Sequence, residues 1–327
     1  MGLFEKGVYL DPKYDFLDKY TQMAFKSFWT PAQYQKLIEE QDTPQYFNEF
    51  DEIKKETVKR CIMAVAMVED KVKIFWPLLS LDLPQTIISD VGGLFAMQEV
   101  VHRKSYSSLL EALKINLEEV HSHPAIEGRL KYLSKHLEED PKIIGKKRIL
   151  KKLVLFTALI ERASLFTQFY ILMSFATRNQ GLTTISALQR STAQEEVMHY
   201  SFGIDLINLI KEEYPQLWEE YLIELISKNI KDAYEAELNL IDWIFEKGVP
   251  SHLTKEEVIN YLNYNFNTIT SDLELDIKYP IDYELFSERN IWMLEKIKTM
   301  VEPDFFHNAV GSYSSLKENI DLKTFKF

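Results

Sequence analysis

Twice in this chain a glutamate and a histidine three residues apart stand on the apolar stripe of a long helical pattern. Glu99 and His102 lie in Phe95-Ala96-Met97-Gln98-Glu99-Val100-Val101-His102. Glu196 and His199 lie on a stripe that steps through Ile185, Leu188, Thr192, Gly203, Ile207 and Ile210. Residues three or four apart share a helix face, so each pair turns a carboxylate and an imidazole toward the interior. Buried carboxylates are tolerable only if something neutralises them. The chain must therefore fold so that these groups meet a counter-charge.

The rest of the pattern is helical too. Only 10 Gly and 11 Pro in 327 residues leave room for few turns and long elements. The first 50 residues read as irregular, with a short helix after Trp29-Thr30-Pro31, where Thr30 can cap. Long helices fit Glu52 to Leu79, Gln85 to about Leu117, Lys146 to Thr177 and Thr183 to Ile210. Shorter ones fit 125–138, 215–246, 255–275 and 283–300. Leu81-Asp82-Leu83-Pro84 and Asn179-Gln180-Gly181 are the breaks, Gly181 serving as a helix cap. No run alternates with period two for long enough to be a core strand. Residues 1–303 read as one all-α domain of long antiparallel helices, and 304–327 as a flexible tail.

The breaks give the register. Glu69 stands about 14 residues before Leu83 and Glu99 about 16 after it. Glu161 stands about 19 residues before Gln180 and Glu196 about 15 after Gly181. At roughly 1.5 Å per residue, the arms of each hairpin return the chain to nearly the same height. Each half thus supplies a Glu, a turn and a Glu-x-x-His, and the arrangement occurs twice. A third pair, Glu118 with His121, sits beside Ser122-His123-Pro124 at a helix end and reads as coincidence. The doubled pattern is that of the ferritin-like dinuclear metal site, with one Glu from each of two helices and a Glu-x-x-His from each of the other two. Carboxylate and imidazole donors suit iron or manganese.

Composition excludes several classes. A net charge of −12 argues against a nucleic-acid partner. A single cysteine, Cys61, allows no intrachain disulfide. No apolar run approaches a membrane span. The N-terminus has no signal-peptide pattern, and the chain reads as cytoplasmic.

Tyr106 follows His102 by one turn. Glu99-x-x-His102-x-x-x-Tyr106 resembles the small, radical-generating subunit of class I ribonucleotide reductase. So do Phe28-Trp29, Glu161 with Leu165-Phe166 and Phe169, Glu195-Glu196-Val197-Met198-His199, and the tail with Tyr313 ending in Phe327. The resemblance runs from about Phe28 to the end. It implies a homodimer whose dinuclear metal centre makes and stores a one-electron oxidant. That oxidant passes to a separate large subunit, which reduces ribonucleotides to deoxyribonucleotides. It also implies Glu69, Glu99, His102, Glu161, Glu196 and His199 as ligands, and Tyr106 at the radical-tyrosine position. Trp29, Glu195 and His102 would form the transfer path, with Tyr313 and the tail at the large subunit. Three features depart from the common pattern: Glu69 where many members have Asp, Lys73 one turn later beside the site, and Glu195 in place of Asp. The first two resemble the branch with a dimanganese centre, and the third bears on proton-coupled transfer along the path; a diiron or manganese–iron pair stays open, as does the location of the oxidant on the metals or on Tyr106. Competing readings are a ferritin-like oxidase or oxygenase with its own substrate, an iron-storage protein and a metal-free helical protein.

Overall fold

The computed structural model describes residues 2–7, 12–72, 74–116 and 123–298, with the backbone alone at 69–72. In chain order its α-helices are α1 (Asp18–Ser27), α2 (Ala32–Leu37), α3 (Thr43–Asn48), α4 (Glu52–Val72), α5 (Phe75–Asp82), α6 (Thr86–Ala112) and α7 (Pro124–Leu133). There follow α8 (Lys146–Ala158), α9 (Phe166–Thr177), α10 (Thr183–Glu213), α11 (Glu220–Ile244), α12 (Lys255–Asp272), α13 (Tyr283–Leu285) and α14 (Ile291–Ile297). No strand occurs among the described residues. The chain is all-α, as its periodicity requires.

Four long elements form the centre. α4 packs on α6 and α9, and α10 packs on α6, α8 and α9. α8 and α9 are joined by a π-helical turn, Leu159–Ala163, so together they act as one interrupted arm. Every residue from Leu153 to Phe175 is buried, which places this arm at the middle of the bundle. α11 lies across α7 and α8, and α12 across α9. A capping box closes the start of α12: Thr254 Oγ1 accepts from Glu257 N–H, and the Glu257 carboxylate accepts from Thr254 N–H.

Close approach of α8 and α10 depends on Gly203, one turn past His199. A Cβ there would meet Thr157 Oγ1 at 2.2 Å, so any larger residue would push the two helices apart. The start of α10 is held from a distance: Asp42 accepts from Ile185 N–H at 2.6 Å, which supplies the N-terminal acceptor that Thr183 and its neighbours do not.

Several boundaries differ from the periodicity reading. The first 50 residues are not irregular but carry α1, α2 and α3, each too short to stand out by period. Thr30 does not cap α2; Gln33 Oε1 instead accepts from Thr30 N–H at 3.3 Å. The helix expected over Glu52–Leu79 ends at Val72, and α5 begins at Phe75. α6 stops at Ala112, where Lys114 takes a left-handed φ of 54°. After α9 it is Asn179, with φ 56°, that follows the last turn in the left-handed region; Gly181 lies further on, packed against the Gln45 amide. Glu118, His121 and residues 304–327 lie outside the described residues.

Candidate metal centre

The ligand atoms of Glu99, Glu161, Glu196 and His199 all lie within 4.8 Å of one another, and all four residues are buried. They come from α6, from the π-helical turn and from α10. His102 adjoins the same group. Its Nδ1 is 3.0 Å from Glu196 Oε1 and 3.7 Å from Glu99 Oε2. His199 Nδ1 is 3.1 Å from Glu99 Oε1, 3.3 Å from Glu196 Oε2 and 3.5 Å from Glu161 Oε2. Glu99 and Glu196 therefore each reach toward both imidazoles, while Glu161 stands on the His199 side. Of the six expected ligands, five converge here. The side chain of Glu69, at the end of α4, lies outside the described residues, as do Lys73 and Tyr313.

The group is electrostatically incomplete by itself. Burial and the charge of Glu196 push the Glu161 carboxyl well above the usual range. Burial alone would lower His199, but Glu196, Glu161 and Glu99 outweigh it and raise the imidazole well above its ordinary value. Burial alone would raise Glu196; the nearby imidazoles and Glu161 outweigh it and hold it far below its ordinary value. Both oxygens of Glu99, Glu196 Oε2 and His199 Nδ1 are buried without a hydrogen-bond partner among the described residues. Buried polar atoms left so are rare and call for a missing partner. Several carboxylate oxygens and an imidazole nitrogen converging at these distances fit divalent cations, which would replace shared protons by charge.

The outer faces of the imidazoles are fully engaged. His102 Nε2–H donates to Glu195 Oε2 at 2.7 Å. The same carboxylate accepts from the Trp29 indole N–H at 2.9 Å and from Gln98 Nε2 at 2.9 Å. His199 Nε2–H donates to Gln98 Oε1 at 3.0 Å. Trp29 and His102 stack with ring centroids 6.0 Å apart. The Tyr106 hydroxyl donates to Gln189 Oε1 at 2.6 Å, an amide acceptor from α10.

Three contributors were not singled out from sequence: Gln98, Gln189 and Trp76. Trp76 Nε1–H donates to Glu161 Oε1 at 2.7 Å. Only Gln98 had a readable signal, since it precedes Glu99 as Glu195 precedes Glu196. Trp76 lies in a different helix from the residue it contacts, and the turn after α4 hid its direction.

The sequence matches the family model described as ribonucleotide reductase, small chain, over residues 7–290. A curated Chlamydia pneumoniae protein, ribonucleoside-diphosphate reductase subunit beta, is 29% identical over 173 residues, 52% of this chain and 47% of that protein. The match thus spans about half the length of that relative. Among solved structures, the R2 subunit of ribonucleotide reductase from Clostridium botulinum superposes with a TM-score of 0.74 at 17% identity, covering 90% of this chain and 94% of that one. Streptococcus sanguinis dimanganese(II)-NrdF gives 0.73 at 16% identity, covering 90% and 100%. At such identities the superpositions carry the fold alone.

Proposed function

Because this chain belongs to the ribonucleotide reductase small-chain family, we propose that it is the radical-generating small subunit of a class I ribonucleotide reductase. In this reading Glu69, Glu99, His102, Glu161, Glu196 and His199 hold two metal ions. The pair is manganese, in line with the sequence departures at Glu69 and Lys73, although the donor set accepts iron too. When bound, the metals supply one-electron oxidising chemistry. The subunit works in the cytosol as a homodimer with a separate large subunit, to which Tyr313 and the tail dock.

One observation carries the reading: the buried hydrogen-bonded run from His102 to Glu195 to the Trp29 indole. It leads from the carboxylate cluster outward to the loop between α1 and α2. Loss of an electron from the indole makes its N–H acidic. Glu195 Oε2, at 2.9 Å, is placed to accept that proton, so charge does not build up in a buried ring. His102 keeps Glu195 aimed at the indole through its own N–H. Tyr106, Gln189 and the surrounding apolar side chains exclude water from the same interior.

The test uses protein isolated from its native host, assayed for ribonucleoside diphosphate reduction with the large subunit, beside metal analysis. Two manganese ions per chain and turnover are expected. Trp29→Phe should retain the metals and lose turnover by at least about a hundredfold, the scale of a lost proton-transfer partner. Undiminished turnover by that variant, or a chain without metal, would overturn the reading.

A further inference from the structure

α6 and α10 exchange more than ligands. Each helix carries, one residue before its ligand glutamate, the group that receives the other helix's imidazole. Glu195 on α10 accepts from His102, and Gln98 on α6 accepts from His199. The exchange is reciprocal but unequal, since one acceptor is a carboxylate and the other a neutral amide.

The orientation of Gln98 is determined by its neighbours. Its Nε2 donates to Glu195 Oε1 at 2.9 Å and to Ser27 Oγ at 3.3 Å, and a carboxylate accepts only. The amide oxygen must then face His199, which keeps a proton on Nε2 and leaves Nδ1, the nitrogen facing the carboxylates, as the atom a metal would take. The side chain is 1% exposed, which keeps bulk solvent away from these bonds. A carboxylate partner strengthens an imidazole as a donor more than an amide does, because it shares its charge through the N–H bond. Glu161, on the His199 side, is further drawn on by the Trp76 indole N–H at 2.7 Å.

We propose that Gln98 is a positioning residue that sets the His199 tautomer and, paired against Glu195, makes the two metal positions unequal: the position at His102 is the tighter and that at His199 the weaker. This rests on the dinuclear metal reading above. It assigns the inequality to one neutral side chain in a network that is otherwise reciprocal.

The test is a titration of metal-free protein with Mn(II), following free Mn(II) by electron paramagnetic resonance, with circular dichroism to check folding. Two unequal steps are expected. Gln98→Met removes the acceptor for His199 and should weaken the second step by roughly ten- to a hundredfold while leaving the first within about twofold. Gln98→Glu keeps a carbonyl for His199 and an O–H for Glu195 in the same shape, and should restore the second step. Glu195→Gln should weaken the first step and draw the two together. Fewer than two ions bound by the unaltered protein would refute the metal reading itself. Two ions bound, with Gln98→Met moving both steps alike or neither, or with Gln98→Glu failing to restore the second, would leave that reading standing and overturn this one.

Discussion

Metal uptake should release protons, and the metal-free protein should weaken as pH rises. In the metal-free cluster Glu161 and His199 both hold protons above their ordinary ranges. Burial and the charge of Glu196 cause the first; Glu196, Glu161 and Glu99, outweighing burial, cause the second. Both groups bind more protons folded than unfolded once pH exceeds their unfolded values, about 4.3 for Glu and 6.5 for His. Stability of the metal-free form therefore falls with rising pH, by about 1.4 kcal/mol per pH unit for each such proton. For His199 the contribution is complete below pH ~6.5 and fades as pH climbs through its raised folded value. For Glu161 the penalty grows from pH ~4.3 upward, as the unfolded carboxyl ionises and the folded one does not. Glu196, held low, acts the other way only in acid. A cation displaces these protons, so apparent affinity should rise by up to about a hundredfold per pH unit when two protons leave together. Thermal melts of metal-free and Mn(II)-loaded protein between pH 6 and 8.5, with proton release followed by an indicator dye, measure both effects. Mn(II) binding that releases no protons, or a metal-free protein whose melting temperature rises through that window, would refute the reasoning.

Two further perturbations test the packing that holds the cluster in place. Arg129, 1% exposed, pairs its Nε with Glu237 Oε1 at 3.1 Å and donates to Ala64 O in α4 and to Gln168 Oε1 in α9. Arg129→Met should destabilise by about 3–5 kcal/mol, because it strands a buried carboxylate. Adding Glu237→Leu should recover at least half of the loss in denaturant melts, and no recovery would argue against the pair. Gly203→Ala drives a Cβ into Thr157 and should cost about 1–3 kcal/mol together with weaker Mn(II) binding. Thr157→Ala in the same chain should return part of both, and an unaltered Mn(II) isotherm in Gly203→Ala would show that the α8–α10 spacing does not govern the site.

Much of the cluster was legible because a helix fixes height and face by count alone. Residues 99, 102, 161, 196 and 199 follow from two hairpins of matched arm length, and five of the six expected ligands converge where the arithmetic put them. Spacing sets the height at which helices meet but does not say which side chains hydrogen-bond across them. Gln98 touches His199 across 101 residues of chain, and Arg129 touches Glu237 across 108; neither has a periodic signature. The break after Val72 was invisible for another reason. Phe75, Trp76 and Leu79 continue the apolar stripe as far as Leu83, so hydrophobicity runs on where the helix does not.

The π-helical turn at Glu161 was hidden most completely, and its surroundings say why. A slip of register normally betrays itself as a jump of the apolar stripe around the helix. From Leu153 to Phe175 there is no stripe to jump, because every face is buried. The chain can therefore add a residue to one turn without exposing anything apolar. The change frees backbone acceptors, and Ser164 Oγ donates to Ile160 O at 2.8 Å within the same stretch. π turns collect at functional sites because they turn one side chain away from the regular face. Here that side chain is Glu161, whose Oε2 lies 3.5 Å from His199 Nδ1 while its Oε1 accepts from Trp76. The same uniform burial that hides the slip from sequence makes it tolerable, and it lets a carboxylate enter the cluster without moving the helix that carries it.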